Sequence, residues 1–301
     1  MRCYTYKSLF HSVSIELKVL HCTSPADHVG FEDEHEASRI SLVRSGVFAR
    51  VIRESSLLAD PTQVLFVNRG AVHRFVHPLE GGDSCTILEP APGTLLEIFW
   101  HFCREAQRFP VDQRCAPVRI ARVHYELLRL AARRNMGDDL AAEELCLNLC
   151  TDLVQLAYHN GPAGRTASGC RAAAAHRRVV ERVRLALNAH LRRPPRLSEL
   201  AQMVNCSAFH LSRVFRMNVG MTIRAYVARL RLAAAARHLL EGENDLASLA
   251  LELGYYDQSH FTNAFVSAWG VCPSGLRARW RPGRHAPGRA SVSKRPIPRL
   301  T

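Results

Sequence analysis

The chain has 301 residues, 47% apolar and 22% charged, and a net charge of +13. These are the proportions of a soluble globular protein long enough for two domains, and the lack of an apolar run of 18 or more residues excludes a membrane-spanning helix. The charge is uneven: from Arg171 to the end 22 basic side chains face 7 acidic ones, a net +15, while the first 170 residues carry a net −2. A basic C-terminal part suggests a polyanion partner, either nucleic acid or an anionic membrane surface.

In chain order, the N-terminal MRCYTYKSLFHSVSIELKVLHC is interrupted by Lys7, His11, Glu16 and Lys18. It reads as no secretion signal, so a cytoplasmic location is expected. Residues 40–100 read as short strands, SLVRSGVFARVI, VLFVN, FVHP and CTILE, separated by turn signals at 60–61, 69–70, 81–83 and 90–93. Such spacing predicts a small β-barrel or sandwich. From about 118, VRIARVHYELLRLAARR and LAAEELCLNLCTDLVQLAYH carry apolar residues at helical spacing, with a turn at 136–139. This helix pair is expected either to cover the open face of the barrel or to form a dimer surface. The ten cysteines include no CxxC pair and read as reduced thiols. Cys146 and Cys150, four apart on one helix, are read as two core thiols, with a metal or redox pair as the alternative. Residues 160–173 are rich in Gly, Ala, Ser and Thr and read as a linker. Helices then run to about 281, and the Pro-, Gly- and Arg-rich tail is expected to be disordered.

One short amphipathic helix is written twice, as HLSRVFR at 210–216 and HFTNAFV at 260–266. Upstream of the first, Leu197, Leu200, Ala201 and Val204 share a helical face; upstream of the second, Leu246, Leu249, Ala250 and Leu253 do the same, 49 residues on. After the turn the offset becomes 50, as between Gly220 and Gly270, because the second turn is one residue longer. Each unit is a short helix, a tight turn and a second helix, with a small alanine at the close approach. This is the helix-turn-helix pattern, whose second helix enters the DNA major groove; an ordinary helical hairpin is the alternative for one copy, and two copies in a basic domain favour DNA. Between them, residues 222–240 form a helix of roughly 28 Å. That length suits recognition helices held in successive major grooves, ~34 Å apart. The apolar faces are those of a packed core, not of a helix lying on a membrane, so no membrane partner is expected.

Three stretches then carry a resemblance: A-x2-V-x6-LSRVF (201–215), Tyr226-x4-Arg231-Leu232-x2-Ala235, and LALELGYYDQSHFTNAFVSAWGVCPSGLR (249–277). Through them residues 176–281 resemble the DNA-binding domain of the AraC/XylS family of bacterial transcription regulators. In the first unit the outward positions are Ser207, Ala208, His210, Ser212, Arg213 and Arg216, with Phe209 near the helix start. Arg213 suits guanine O6 and N7, Arg216 suits phosphate, and Phe209 suits either a thymine methyl or the core. In the second unit they are Gln258, Ser259, His260, Thr262 and Asn263; Gln258 and Asn263 can read adenine. These match the DNA-contacting places of the resembled family, with one departure: Val266 stands where the family often has Lys or Arg. No Lys or Arg lies between 257 and 269. The first unit is therefore expected to supply more affinity and the second to be more tolerant of sequence.

The first half resembles the cupin-like sensory barrel found before such domains, on the strength of VNRGAVHRFVHP (67–78). His73 and His77 are candidate metal ligands. No His-x-His-x3–4-Glu motif completes them, and His28 and His35 lie in an ambiguous acidic stretch, so neither metal nor cofactor is expected. No Ser/His/Asp set, P-loop or zinc motif supports an enzyme. The expected fold is α+β: a cupin-like sensory and dimerisation domain at 1–160, comprising a small barrel and a helix pair; a linker at 161–173; an all-α domain of seven helices at 174–281 with two helix-turn-helix units on a linker helix; and a disordered basic tail at 282–301. The expected function is sequence-specific regulation of transcription. The partners are double-stranded DNA, a small-molecule effector and a second copy through the N-terminal half; the resemblance implies an activator that contacts RNA polymerase. The alternative is a cupin-type metal-dependent enzyme with a basic nucleic-acid-binding appendage.

Overall fold

A computed structural model of the chain describes residues 4–52, 55–132, 139–158, 171–243 and 245–278. The strands of the N-terminal half are β1 (Tyr4–His11), β2 (Ile15–Cys22), β3 (His28–Val29), β4 (Asp33–Glu34), β5 (Arg39–Gly46), β6 (Phe48–Ile52), β7 (Ser55–Ala59), β8 (Gln63–Val67), β9 (Val72–His77), β10 (Asp83–Pro90) and β11 (Gln113–Cys115). Its helices are α1 (Pro92–Phe102), α2 (Val118–Ala132) and α3 (Asp139–Tyr158). Six strands form one sheet in the order β1-β2-β10-β5-β8-β11; β3, β9, β6 and β7 form a second, with β4 also paired to β9. The two sheets do not close into one barrel, which corrects that part of the expected fold.

Alternation sets the layers. In β2, Ile15, Leu17 and Val19 are buried against the helices, while Leu20 and Cys22 face the space between the sheets. In β8, Val64 and Phe66 join the helix-side core and Leu65 joins the core between sheets; a strand covered on both faces has no polar side to show. The helix pair covers the outer face of the larger sheet: Cys146, Leu149, Cys150 and Leu153 of α3 share a core with Leu17, Phe66 and Leu88. Both cysteines are core thiols, and burial pushes each up to about 12. Three elements depart from the reading of the sequence. β1 and β2 occupy the N-terminal stretch read only for a targeting signal, and α1 replaces the end of the expected β-rich stretch, opening on Pro92 at a position where a missing N–H costs nothing.

The C-terminal half is helical: α4 (Arg171–Ala189), α5 (Leu197–Met203), α6 (Ala208–Val219), α7 (Ile223–Leu240), α8 (Leu246–Glu252), α9 (Gln258–Trp269) and α10 (Pro273–Ala278). Seven helices among the described residues are the number expected. α4 begins three residues inside the expected linker; the rest of that linker (161–170), most of the 136–139 turn and the 282–301 tail lie outside the described residues. There are two cores here. Tyr226, Val227 and Leu230 from the first part of α7 pack with α4, α5 and α6; Leu232, Ala235, Ala236, Leu239 and Leu240 from the rest pack with α8, α9 and α10. One helix serving two cores is covered on more than one side, and only Arg224, Ala225 and Ala228 of α7 are exposed. The second core also takes Tyr125 and Leu128 of α2, with the Tyr125 ring edge-on to Trp269 at 4.8 Å.

Candidate nucleic-acid interface

The two repeated units are built on one plan. α5 and α8 begin 49 residues apart, α6 and α9 begin 50 apart, and both second helices end at a glycine in the left-handed conformation, Gly220 and Gly270. The buried stripe of α6 is Leu211, Val214, Phe215 and Val219; that of α9 is Phe261, Phe265 and Trp269. The start of each second helix is held by a side chain: Ser207 Oγ accepts from His210 N at 3.1 Å, and Asp257 Oδ1 accepts from His260 N at 2.7 Å. Asp257 went unnoticed as a cap in the sequence, although an acidic residue just before a helical run signals one.

Of the outward positions expected in the first unit, all but Ala208, which is half-buried against the core, lie on the open side. Ser207, His210, Ser212, Arg213 and Arg216 are exposed, and Phe209, for which a core place was the alternative, is 78% exposed. His210 stands beside His176 of α4, ring centroids 5.6 Å apart. On the second unit Gln258, Ser259, His260 and Asn263 are exposed, but Thr262 is half-buried. His260 is turned on its own turn, packed on Tyr255 at 5.4 Å and facing the Tyr256 N–H at 3.5 Å. Tyr256 itself, 86% exposed, was missed; the extra residue of the longer second turn puts a full aromatic face in solvent beside α9. Val266 is exposed where Arg216 stands in the first unit.

The spacing of the units is fixed by α7, 18 residues and about 27 Å long. Arg231 on α7 secures both sides. Its Nε and Nη2 donate to the carbonyls of Leu191 and Arg192 beyond α4, and its guanidinium lies 5.7 Å over the Tyr255 ring in the second turn. The first unit is tied to the N-terminal half by a buried ion cluster. Asp60, in the turn from β7 to β8, accepts from Arg184 Nε at 2.9 Å, again from Arg184 Nη2, and from the Tyr226 hydroxyl at 2.6 Å. Thr62 N and Oγ1 complete its shell at 2.8 and 2.6 Å. Burial alone would raise the Asp60 carboxyl, but Arg184 and these donors hold it below the usual carboxylate range. The Tyr226 ring in turn packs edge-on at 5.4 Å against Phe215, in the buried face of α6.

Between the two sheets lies a cavity of about 470 Å³, lined by Leu20, Phe48, Leu65, Phe75, His77 and Cys85 among others. The two candidate histidines have different surroundings. His73 Nε2 is 2.9 Å from His35 Nε2, which is also 2.6 Å from Arg39 Nη2. A guanidinium only donates, so His35 Nε2 accepts and His73 Nε2–H donates. Burial with Arg50 pushes His73 down to about 2, and burial with Arg39 pushes His35 to about 3, so both rings are neutral near pH 7. His77 is different. Burial lowers it, but hydrogen bonding to Asp83 at 2.7 Å and the nearby Cys22 outweigh that and hold it up to about 9.

The helix-turn-helix domain family matches residues 200–279, spanning most of both units. The regulatory protein PocR of Salmonella typhimurium is 30% identical over 101 residues, which is 34% of this chain and 33% of PocR. The transcriptional activator RhaR of Klebsiella pneumoniae is 27% identical over 162 residues, 54% of this chain and 53% of RhaR. The regulatory protein SoxS of Escherichia coli K12 is 27% identical over 104 residues, 35% of this chain but 97% of SoxS. The chain thus spans about a third of PocR and about half of RhaR. The match to the domain family and to these regulators, on a duplicated unit of this geometry, makes residues 200–279 a helix-turn-helix domain similar to those of AraC/XylS-type regulators.

Proposed function

We propose that the chain is a transcription regulator that binds specific double-stranded DNA by placing α6 and α9 in adjacent major grooves. The observation that carries this reading is the pair of equivalent recognition helices, open on one side and set on the ends of one 18-residue helix. In this reading Arg213 contacts guanine and Arg216 a phosphate, and Phe209 is free for a thymine methyl. Gln258 and Asn263 read adenine, Ser259 adds a polar contact, and His210 and Ser212 flank the arginines. Ser207 caps its helix first. Thr262 and His260 have less to offer, which supports a second unit that tolerates more sequences.

In this reading the working units are a sensory and dimerising part at 1–160, a connection at 161–173 whose last three residues open α4, the DNA-binding part at 174–281 and a basic tail at 282–301. The cavity between the sheets is of a size for a small organic effector. Its occupancy would reach α6 along β8, Asp60, Tyr226 and Phe215, shifting an equilibrium between DNA arrangements. As an activator the chain would contact RNA polymerase when seated on its operator.

Selection of bound duplexes from a random pool by the full-length chain tests this reading. Two short preferred blocks about one helical turn apart are the expected result; unpatterned DNA, with binding that vanishes as salt rises, would sink it. Against the selected operator, Arg213→Ala should cost ~1–3 kcal/mol and relax the sequence at one position. Wild-type affinity in that variant would remove Arg213 from the bases. Arg216→Ala should weaken binding to all sequences and lower the slope of log K against log salt by about one. An unchanged slope would take Arg216 off the phosphates.

A further inference from the structure

We infer that Cys22, His77 and Asp83 form a binding site for a borderline-soft divalent cation of the Zn²⁺ kind, opening onto the cavity between the sheets. The topology assembles the three residues. Cys22 ends β2 and pairs with Asp83 at the start of β10, while His77 ends β9 in the other sheet. All three are buried, and one donor atom from each (thiol sulfur, imidazole nitrogen, carboxylate oxygen) lies within 4.8 Å of the other two. In a tetrahedral zinc site such donors stand about 3.4–3.6 Å apart, from metal–ligand distances of about 2.0–2.3 Å. The His77–Asp83 pair stands at 2.7 Å, a hydrogen bond, and would open by about 0.7 Å to admit the ion.

Three further features fit a cation. The donors suit it chemically: a thiolate and a carboxylate neutralise the double charge, and thiolate with imidazole favours zinc over magnesium or calcium. His77 Nδ1 is buried with no hydrogen-bond partner among the described residues, and a cation would replace the proton that the ring shares with Asp83, since metal binding releases protons from its ligands. The backbone is drawn tight at this place: Gly82, at φ +63°, lies so close to Cys22 that a Cβ would strike its carbonyl oxygen and stand 2.7 Å from its carbonyl carbon. That contact holds Asp83 beside Cys22. The other histidine pair, His35 and His73, also has an unpartnered buried nitrogen, His73 Nδ1, but no anionic donor stands with it, and Arg39 and Arg50 stand against it and would repel a cation. All three proposed ligands line the cavity, so the fourth position is open to water or to a donor atom of an entering molecule.

The test is titration of the full-length, chelator-treated chain with Co²⁺, followed by absorption. The background has Cys3, Cys103, Cys115, Cys170, Cys206 and Cys272 changed to Ser, which leaves Cys22 with three other buried thiols. One equivalent of cobalt should give a thiolate-to-cobalt charge-transfer band and the intense visible bands of a four-coordinate ion, both erased by Zn²⁺. Cys22→Ser should abolish the charge-transfer band. Asp83→Asn should weaken uptake by at least about 100-fold, beyond the 10–100-fold typical of an outer-shell partner. Absence of cobalt uptake, uptake without the charge-transfer band, or a band that survives Cys22→Ser would each overturn the site and leave a hydrogen-bonded triad only. Should Cys22→Ser not fold, Asp83→Asn decides: undiminished affinity there overturns the site. DNA plays no part in this readout, so its failure leaves the reading of α6 and α9 untouched.

Discussion

Arg184→Ala is expected to destabilise the chain by about 3–5 kcal/mol, as removal of one partner from a buried ion pair does. The alanine would leave the Asp60 carboxylate inside the protein without its counter-ion, held only by Tyr226 and Thr62. The pair itself gains little over an apolar filling, because both ions lose their water. Arg184→Met combined with Asp60→Leu should therefore cost less than Arg184→Ala alone. Urea unfolding of Arg184→Ala and of the four chains of the Arg184→Met and Asp60→Leu cycle checks this; a cost of Arg184→Ala below about 1 kcal/mol would mean that the cluster is open to water in solution. The pH dependence has a definite sign. The Asp60 carboxyl is lower in the folded chain than in the unfolded one, so its contribution is complete above about pH 5 and is lost as pH falls through the folded value. Because Asp60 belongs to the sheets and Arg184 and Tyr226 to the helical half, the same cycle measures how firmly the two halves are joined. Because Tyr226 touches Phe215 in α6, the variants should also change the affinity for DNA.

The helical half was legible in the sequence because its information is local. A period of 3.6, a repeat at 49 and 50 residues and glycines after both second helices fix elements whose partners lie within a few turns. Phe209 could not be placed this way: two residues before the buried stripe that starts at Leu211, it suits either the core or the surface, and only its 78% exposure decides. The sheets were less legible. β2 alternates as a strand does, but β1 is exposed from Thr5 to Ser8 with no alternation, and Lys7, His11, Glu16 and Lys18 read as breaks in an apolar run. The sandwich, as opposed to a closed barrel, depends on pairings between strands up to about 70 residues apart, such as β2 with β10. For the same reason the Cys22, His77 and Asp83 set has no spacing to recognise; a search for His-x-His sees one member of it. The Asp60 cluster is likewise invisible, since an Asp-Pro pair at 60–61 reads as a turn and nothing near it announces an arginine 124 residues away.

Gly254→Ala should cost about 2–4 kcal/mol, more than the same change at Gly220. Both glycines have left-handed backbones, φ +77° and +79°, so both substitutions carry the conformational strain of roughly 1–2 kcal/mol that an L side chain meets there. Their surroundings differ. Nothing lies within 4 Å of a Cβ at Gly220; at Gly254 it would overlap the Arg192 carbonyl oxygen and stand 2.5 Å from Arg231 Nη2 and 3.0 Å from its Cζ. That oxygen cannot simply withdraw, because it accepts the Arg231 hydrogen bond that closes α7 onto the end of α4. The second turn must move instead, and with it Tyr255, the ring under the Arg231 guanidinium. The turn positions α9, so the variant should lose preference in the DNA block read by the second unit while keeping the block read through Arg213. Thermal melts of the two alanine variants, together with duplex selection on Gly254→Ala, separate the contributions. A Gly254→Ala cost equal to that of Gly220→Ala would mean that the close approach of the turn to Arg192 and Arg231 does not exist in solution. Loss of both DNA blocks together would mean that the two units are not held independently on the two ends of α7.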